Sequence, residues 1–272
     1  MEFKEKQYDG PYEVCGVEIT CNNQLFRGVL YHPPDNFKKP HPLIIYFHGF
    51  PQIFTLEEIV KTHAFLLNKG FSFLAFNFRG YRYSEGKVSI KSQVEDSIEV
   101  IQFAETLAKH GIFDKNYINI LANDFGGYIA LILCSKKDII NKVLLLCPVL
   151  NVRERVYSED FTKVLQYLNR FLPGHVKGIE NPEEFIKLTK EELEREEFQI
   201  EKIISQLKNK ELKVIIGEND KICTPDNIQE ILKNSNIEPQ ITIIKEMEHE
   251  ILDYDEYEKI REEIDNFFTK EF

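Results

Sequence analysis

Short apolar runs alternate with amphipathic stretches along most of the chain. Residues 14–21 and 25–31 flank Asn22-Asn23, a pattern typical of a β-hairpin. Beyond this hairpin, apolar runs predict further strands at 43–47, 71–76, 117–122, 142–147, 212–216 and 240–244. Helical spacing predicts helices at 56–67, 93–109, 128–134, 226–232 and 254–268. Together these elements predict an α/β fold with a mostly parallel, eight-stranded sheet and helices on both faces.

One long segment, 151–209, departs from this alternation. It is highly charged, has helical spacing, and is interrupted at Pro173-Gly174 and Asn181-Pro182, so that three or so helices fit there. Because it lies between two predicted strands, we expect it to cover the carboxyl edge of the sheet, where ligands bind in open α/β sheets. The predicted organisation is a core formed by 1–150 and 210–272, with 151–209 inserted as a small helical lid.

Composition narrows the class of protein. The chain has 272 residues, of which 43% are hydrophobic and 29% charged, with a net charge of -11, which suits a globular protein with a sizeable core. The acidic balance argues against nucleic acid or an anionic membrane as the main partner. No apolar run is long enough to span a membrane, and the first ten residues lack the apolar core of a secretory signal.

The cysteines point to a reducing compartment. There are five of them, an odd number without any C-x-x-C pair, which favours free thiols in a cytoplasmic protein. We therefore expect a cytoplasmic protein whose partner is a small-molecule substrate, with neither a metal nor a cofactor. The sequence leaves the oligomeric state open.

Residues suited to catalysis follow four of the predicted strands. The stretch His48-Gly49-Phe50-Pro51 follows one strand, and Asp220 and His249 lie in the loops after two others. Asp124 lies in a tight turn between an apolar strand and an apolar helix, which is the setting of a nucleophile elbow, G-x-S-x-G, with aspartate at the serine position.

Each of these residues also has a purely structural interpretation. His48 could be a packed core histidine, Asp220 a helix N-cap, and His249 a solvated surface residue. Their order along the chain, nucleophile then acid then histidine, each just past a strand, favours the catalytic interpretation.

With this order of residues, the chain resembles an α/β-hydrolase from about residue 14 to the last helix. The stretch FNFRGYRYSEGK, 76–87, is similar to the loop after the fourth strand in small esterases and lysophospholipase-like members. Those proteins usually have aspartate where this chain has Asn77. The resemblance implies a hydrolase.

The aspartate decides which chemistry is open to such a site. A carboxylate is ionised at neutral pH without help from a base. If it attacked the carbonyl carbon of a substrate, the product would be a mixed anhydride, which is a poor intermediate. With an sp3 carbon that carries a leaving group, Asp124 would form an alkyl ester, which water can hydrolyse at its own carboxylate carbon. His249 would activate the water, and Asp220 would orient His249 and stabilise its charged form. The backbone N–H groups of Phe50 and Phe125 would stabilise the oxyanion.

This pattern resembles the epoxide hydrolases and dehalogenases of the same fold, which share an aspartate nucleophile and an H-G-x-P stretch. Dehalogenases hold the halide with tryptophan or the substrate carboxylate with arginine; this chain has no tryptophan, and it has Phe125 and Tyr128 near the nucleophile. Both dehalogenase interpretations are therefore weaker. Epoxide opening needs lid tyrosines that protonate the leaving oxygen, and Tyr157 and Tyr167 lie in the insertion, although packing of the lid helices explains them equally well.

Two functional hypotheses follow. The first is a hydrolase with an Asp124 nucleophile that acts on an epoxide or a related alkyl electrophile. The second is a serine-esterase or acyl-hydrolase scaffold in which Asp124 replaces the serine, either naturally in a binding protein or as an inactivating substitution. A lyase or isomerase that uses His249 as base has no positive support in the sequence.

Overall fold

The computed structural model describes residues 6–208 and 210–270. These residues form a nine-stranded sheet in the order β1-β2-β3-β5-β4-β6-β7-β8-β9. The strands are β1 (Gln7–Asp9), β2 (Tyr12–Cys21), β3 (Gln24–Tyr31), β4 (His41–Phe47), β5 (Ser72–Phe76), β6 (Phe113–Asn123), β7 (Ile140–Leu146), β8 (Glu211–Gly217) and β9 (Gln240–Ile244). The β1–β2, β2–β3 and β3–β5 pairs are antiparallel. The β5–β4, β4–β6, β6–β7, β7–β8 and β8–β9 pairs are parallel.

This sheet confirms the predicted α/β fold but has one strand more than the eight predicted. The additional strand, β1, is only three residues long, exposed, and paired with β2 at the edge of the sheet. Three exposed residues are too few to produce a recognisable alternation of apolar and polar positions, so the sequence does not predict this strand.

Helices cover both faces of the sheet. Outside the segment between β7 and β8 they are α1 (Leu56–Thr62), α2 (Ala64–Leu67), α3 (Ile90–Lys109), α4 (Phe125–Lys136), α9 (Pro225–Leu232) and α10 (Tyr254–Thr269). The sequence predicts one helix over 56–67, but the structure has two, because the backbone leaves the helical conformation at His63. No helix in the described part of the chain has the length and apolar character needed to cross a membrane.

Two clusters of buried apolar side chains lie on opposite faces of the sheet. Alternate residues of β4 separate them: Leu43, Ile45 and Phe47 belong to the first cluster, and Ile44 and Tyr46 to the second. Because successive side chains of a strand point to opposite faces, this division assigns one cluster to each face. Helices α3, α4 and α9 cover the first cluster, and α1, α2 and α10 cover the second.

The segment between β7 and β8 is helical, as the sequence predicts. It contains α5 (Val152–Tyr157), α6 (Glu159–Phe171), α7 (Pro182–Leu193), a 3-10 turn (Glu196–Phe198) and α8 (Ile200–Ile204). Helices α5, α6 and α7 contact one another, whereas α8 packs against α4 and α9. The end of this segment therefore lies with the helices that cover the sheet. We call α5, α6 and α7 the insertion helices.

Candidate active site

Asp124 lies at the junction of β6 and α4 in a strained backbone conformation, with φ 51° and ψ -125°. A positive φ is uncommon for any residue with a side chain and is characteristic of a sharp functional turn. Two glycines permit this turn. A Cβ at Gly126 would collide with the carbonyl oxygens of Phe47 and His48, and one at Gly49 would collide with the Asp124 carboxylate. The close packing places that carboxylate at the carboxyl edge of the sheet.

The loops after β8 and β9 bring Asp220 and His249 to the same place. His249 Nδ1 lies 2.8 Å from Asp220 Oδ2, and His249 Nε2 lies 3.6 Å from Asp124 Oδ1. Asp220 is buried, and its second oxygen accepts hydrogen bonds from the backbone N–H groups of Ile222 and Cys223 at 2.9 and 3.1 Å. The structure thus brings together all three residues that the sequence singled out, and it holds Asp220 rigidly.

Oδ2, the other carboxylate oxygen of Asp124, is fixed by a hydrogen bond. The backbone N–H of Phe50 donates a hydrogen bond to Asp124 Oδ2 at 2.6 Å. Phe125, the other predicted donor, is the first residue of α4, where backbone N–H groups have no partner inside the helix. Among the described residues its N–H makes no hydrogen bond, so it remains available beside the carboxylate.

His249 carries a positive charge at neutral pH. Burial of the ring lowers its pKa, but hydrogen bonding and charge from Asp124 and Asp220 outweigh burial and raise that pKa to about 9. The resting site is therefore an imidazolium between two carboxylates.

A cavity of about 700 Å³ surrounds Asp124 and extends to both faces of the sheet. Its first lobe is lined by side chains of the first cluster, among them Val149, Val152, Val156, Phe161, Val164 and Phe185. Its second lobe is lined by side chains on the face of the second cluster, among them Tyr46, Ile59, His63, Phe65, Ile260 and Ile264. Both lobes meet at the strand ends that carry Asp124 and His249.

The two tyrosines considered as lid acids lie outside this cavity. Tyr157 and Tyr167 are each 58% exposed, and neither is among the lining residues. Tyr157 contacts Lys190, and the Tyr167 ring packs on Phe171. This placement contradicts their proposed role as acids. The reason is helical geometry: α5 and α6 direct their apolar residues inward, which leaves these tyrosines on the outer surface.

His48 proves to be a packed core histidine. Its ring contacts the rings of Phe78 and Tyr81, and its Nε2 accepts a hydrogen bond from the Phe78 N–H at 3.2 Å. Burial lowers its pKa to about 4, so the ring is neutral. His48 therefore supports the loop that carries Phe50 and takes no part in the site itself.

Sequence reasoning missed Tyr46 and His63, which both line the second lobe. Tyr46 lies inside an apolar strand, and His63 lies inside a stretch with helical spacing, so neither stands out in the sequence. Among the described residues, no group of three or more His, Cys, Asp or Glu side chains is placed to hold a metal ion.

Comparison with known families defines the class of protein. The sequence model of the family described as alpha/beta hydrolase fold matches residues 42–181, half of the chain. The chain therefore belongs to the alpha/beta hydrolase fold family.

Curated relatives match part of this chain. Lysophosphatidylserine lipase ABHD12 of Danio rerio is 27% identical over 140 residues, which cover 50% of this chain and 35% of the relative. The protein of the same name from Rattus norvegicus is 25% identical over 191 residues, which cover 63% of this chain and 47% of the relative. The chain thus spans less than half the length of these relatives.

Solved structures show the same fold. An esterase from Pyrococcus furiosus superposes with a TM-score of 0.72 at 20% identity, over 95% of this chain and 91% of the esterase. Est1E from Butyrivibrio proteoclasticus superposes with a TM-score of 0.68 at 17% identity, over 94% of this chain and 98% of Est1E.

Proposed function

We propose that this protein is a hydrolase that opens an alkyl electrophile, such as an epoxide, by forming a covalent ester on Asp124 and then hydrolysing that ester. Asp124 Oδ1 would attack the carbon, and water activated by His249 would attack the ester carbon, Cγ of Asp124. The observation that carries the proposal is the position of the carboxylate: Oδ2 accepts from the Phe50 N–H at 2.6 Å, and Oδ1 lies 3.6 Å from His249.

This position favours alkyl over acyl transfer. In acyl transfer the carbonyl oxygen of the substrate must reach the oxyanion donors. Here the enzyme's own Oδ2 already occupies the Phe50 donor. If the ester forms at Oδ1, Oδ2 becomes its carbonyl oxygen. The Phe50 N–H already donates to Oδ2, which is the atom on which negative charge develops when water attacks the ester.

The charge of His249 supports the same order of steps. The imidazolium lies between two carboxylates, and their influence raises its pKa above the usual range. Formation of an ester neutralises Asp124, breaks the C–O bond of the epoxide and leaves an alkoxide. The loss of the Asp124 charge lowers the pKa of His249, and the proton that His249 gives up, directly or through solvent, converts the alkoxide to a hydroxyl group. The ring then becomes a base only after the first step, when the hydrolytic water needs one. Asp220 remains to orient it.

The insertion helices would serve as the lid of this site. They line the first lobe with aliphatic and aromatic side chains, which suits an alkyl chain and excludes water from the carboxylate until the second step. The predicted division into a core, 1–150 and 210–272, and a lid, 151–209, belongs to this proposal, except that α8, at the end of the segment, packs against the core helices α4 and α9.

The second candidate function is binding of a lipid-like ester at an ester-hydrolase site whose serine is replaced by Asp124. Its support is the similarity to the curated relatives, which are named lysophosphatidylserine lipases, together with the apolar first lobe. In this case Asp124 stands where a catalytic serine would lie, and the chain would bind lipid-like esters without turning them over.

A single turnover in heavy-oxygen water separates the two candidates. With a terminal epoxide of decane as substrate, we expect the label in the Asp124 carboxylate, and a His249→Gln variant should accumulate the alkyl-enzyme as a mass increase on the elbow peptide. An Asp124→Asn variant is the matched control, because it keeps the shape of the side chain. The proposal is wrong if turnover leaves Asp124 unlabelled, or if ester hydrolysis appears only in an Asp124→Ser variant while alkyl electrophiles never react.

A further inference from the structure

Two polar groups in the second lobe have no part in the reaction described above. Tyr46 and His63 are each 8% exposed and line the cavity. Their ring centroids are 5.4 Å apart. Neither the Tyr46 hydroxyl nor His63 Nε2 is among the fully buried, unpartnered side-chain atoms in the described part of the chain, so both atoms are open to the cavity and can pair with a ligand there.

The hydrogen-bonding capacity of His63 follows from its surroundings. Its Nδ1 lies 2.8 Å from the carbonyl oxygen of Ile59, and a carbonyl only accepts, so Nδ1 carries the hydrogen. Burial lowers the pKa of the ring to about 4, which keeps it neutral. Nε2 is therefore an acceptor. Stacking on Phe73, with centroids 5.4 Å apart, holds the ring in place.

Tyr46 has the opposite capacity. Within the described residues its hydroxyl makes no hydrogen bond to the protein. Burial, with a smaller effect from the charge of Asp124, raises the pKa of Tyr46, so the hydroxyl keeps its proton and is a donor. A donor beside an acceptor is complementary to an alcohol, which accepts one hydrogen bond and donates another.

The charges around these groups favour a neutral ligand. Glu58, Glu250 and Asp253 line the same part of the cavity. Arg261 lines it too, but its guanidinium is paired with Glu258 at 3.0 Å. An anionic headgroup would meet three carboxylates there, and the other arginine among the described lining residues, Arg155, lies on α5 at the first lobe.

We infer that Tyr46 and His63 form a subsite for a neutral hydroxyl group in the second lobe, so that the ligand is a hydroxylated amphiphile whose alkyl chain lies in the first lobe. The inference deepens the proposed function, on which it rests for the position of the reacting carbon between the lobes. The vicinal diol released by opening a long-chain epoxide has this chemistry.

Calorimetric binding of two probes tests the subsite without turnover. The probes are the terminal vicinal diol of decane and hexylbenzene, which lacks hydrogen-bonding groups. We expect Tyr46→Phe to bind the diol about five- to tenfold more weakly and hexylbenzene as wild type does, because it loses one buried hydrogen bond and no apolar surface. Thr62→Val is the matched control: Thr62 lines the same lobe, but its hydroxyl already donates to the Glu58 carbonyl, so diol affinity should be unchanged.

His63→Phe provides a second, independent variant, with the same expected selective loss, should Tyr46→Phe fail to fold. The subsite is refuted if either folded variant binds the diol as tightly as wild type, if both probes weaken equally, or if wild type binds neither probe. A failure of the proposed nucleophile looks different: Asp124 would stay unlabelled in heavy-oxygen water while the discrimination between the two probes persists.

Discussion

The first and second lobes of the cavity meet at Asp124, but different parts of the chain build them. The insertion helices contribute Val152, Val156 and Phe161 to the first lobe. The second lobe is formed by β4, the break between α1 and α2, and α10, and it contains the polar atoms of Tyr46 and His63. Packed apolar side chains select a ligand by its shape, whereas a few fixed polar atoms select it by hydrogen bonding. Shape selection and polar recognition should therefore respond to different substitutions.

The largest effect should come from the charge at the junction of the lobes. The folded pKa of His249 is raised to about 9, above the value of about 6.5 for an unperturbed histidine. Protonation therefore stabilises the folded state fully below about pH 6.5, and this contribution disappears as pH rises through 9. Urea unfolding of wild type and His249→Gln between pH 6 and 10 should show a stability difference that declines by on the order of 2–3 kcal/mol. A difference that is independent of pH would contradict the imidazolium.

Filling the first lobe should alter the selection of chain length. Val156 is buried and lines this lobe, and Val156→Phe adds bulk where the alkyl chain is proposed to lie. We expect kcat/KM for a ten-carbon epoxide to fall by about tenfold or more, with little change for a four-carbon one. Steady-state kinetics over a series of chain lengths measures this. Exposed Leu188→Phe on α7, outside the cavity lining, is the control, and an equal loss at all chain lengths would argue against an alkyl pocket in the first lobe.

The smallest effect should follow from the outward-facing tyrosines. Tyr157→Phe and Tyr167→Phe remove only hydroxyl groups that lie outside the cavity, so kcat and KM should stay within about twofold of wild type. The double variant, assayed on the same epoxides, provides the measurement. A large fall in kcat would restore these residues as acids, and it would mean that α5 and α6 rotate when substrate binds.

The sequence alone determined most of the order of strands and helices and the three polar residues, Asp124, Asp220 and His249, that converge at the carboxyl edge of the sheet. Apolar runs and helical spacing are local properties, and the carboxyl ends of parallel strands share one edge of a sheet, so Asp124, Asp220 and His249 were predictable as neighbours. The edge strand β1 and the break at His63 were not, because three exposed residues carry no pattern and a single residue can interrupt a helix without changing its apolar spacing.

Only the tertiary structure decided what each polar atom of the site contacts. The sequence contains an aspartate at the elbow, but the loop after β4 is what directs the Phe50 N–H at Oδ2 and leaves Oδ1 to His249. Tyr46 and His63 are separated along the chain, and the packing of α1 against the sheet is what places their rings side by side. Such contacts depend on the relative placement of elements from distant parts of the chain, to within about half an ångström, which no periodicity encodes.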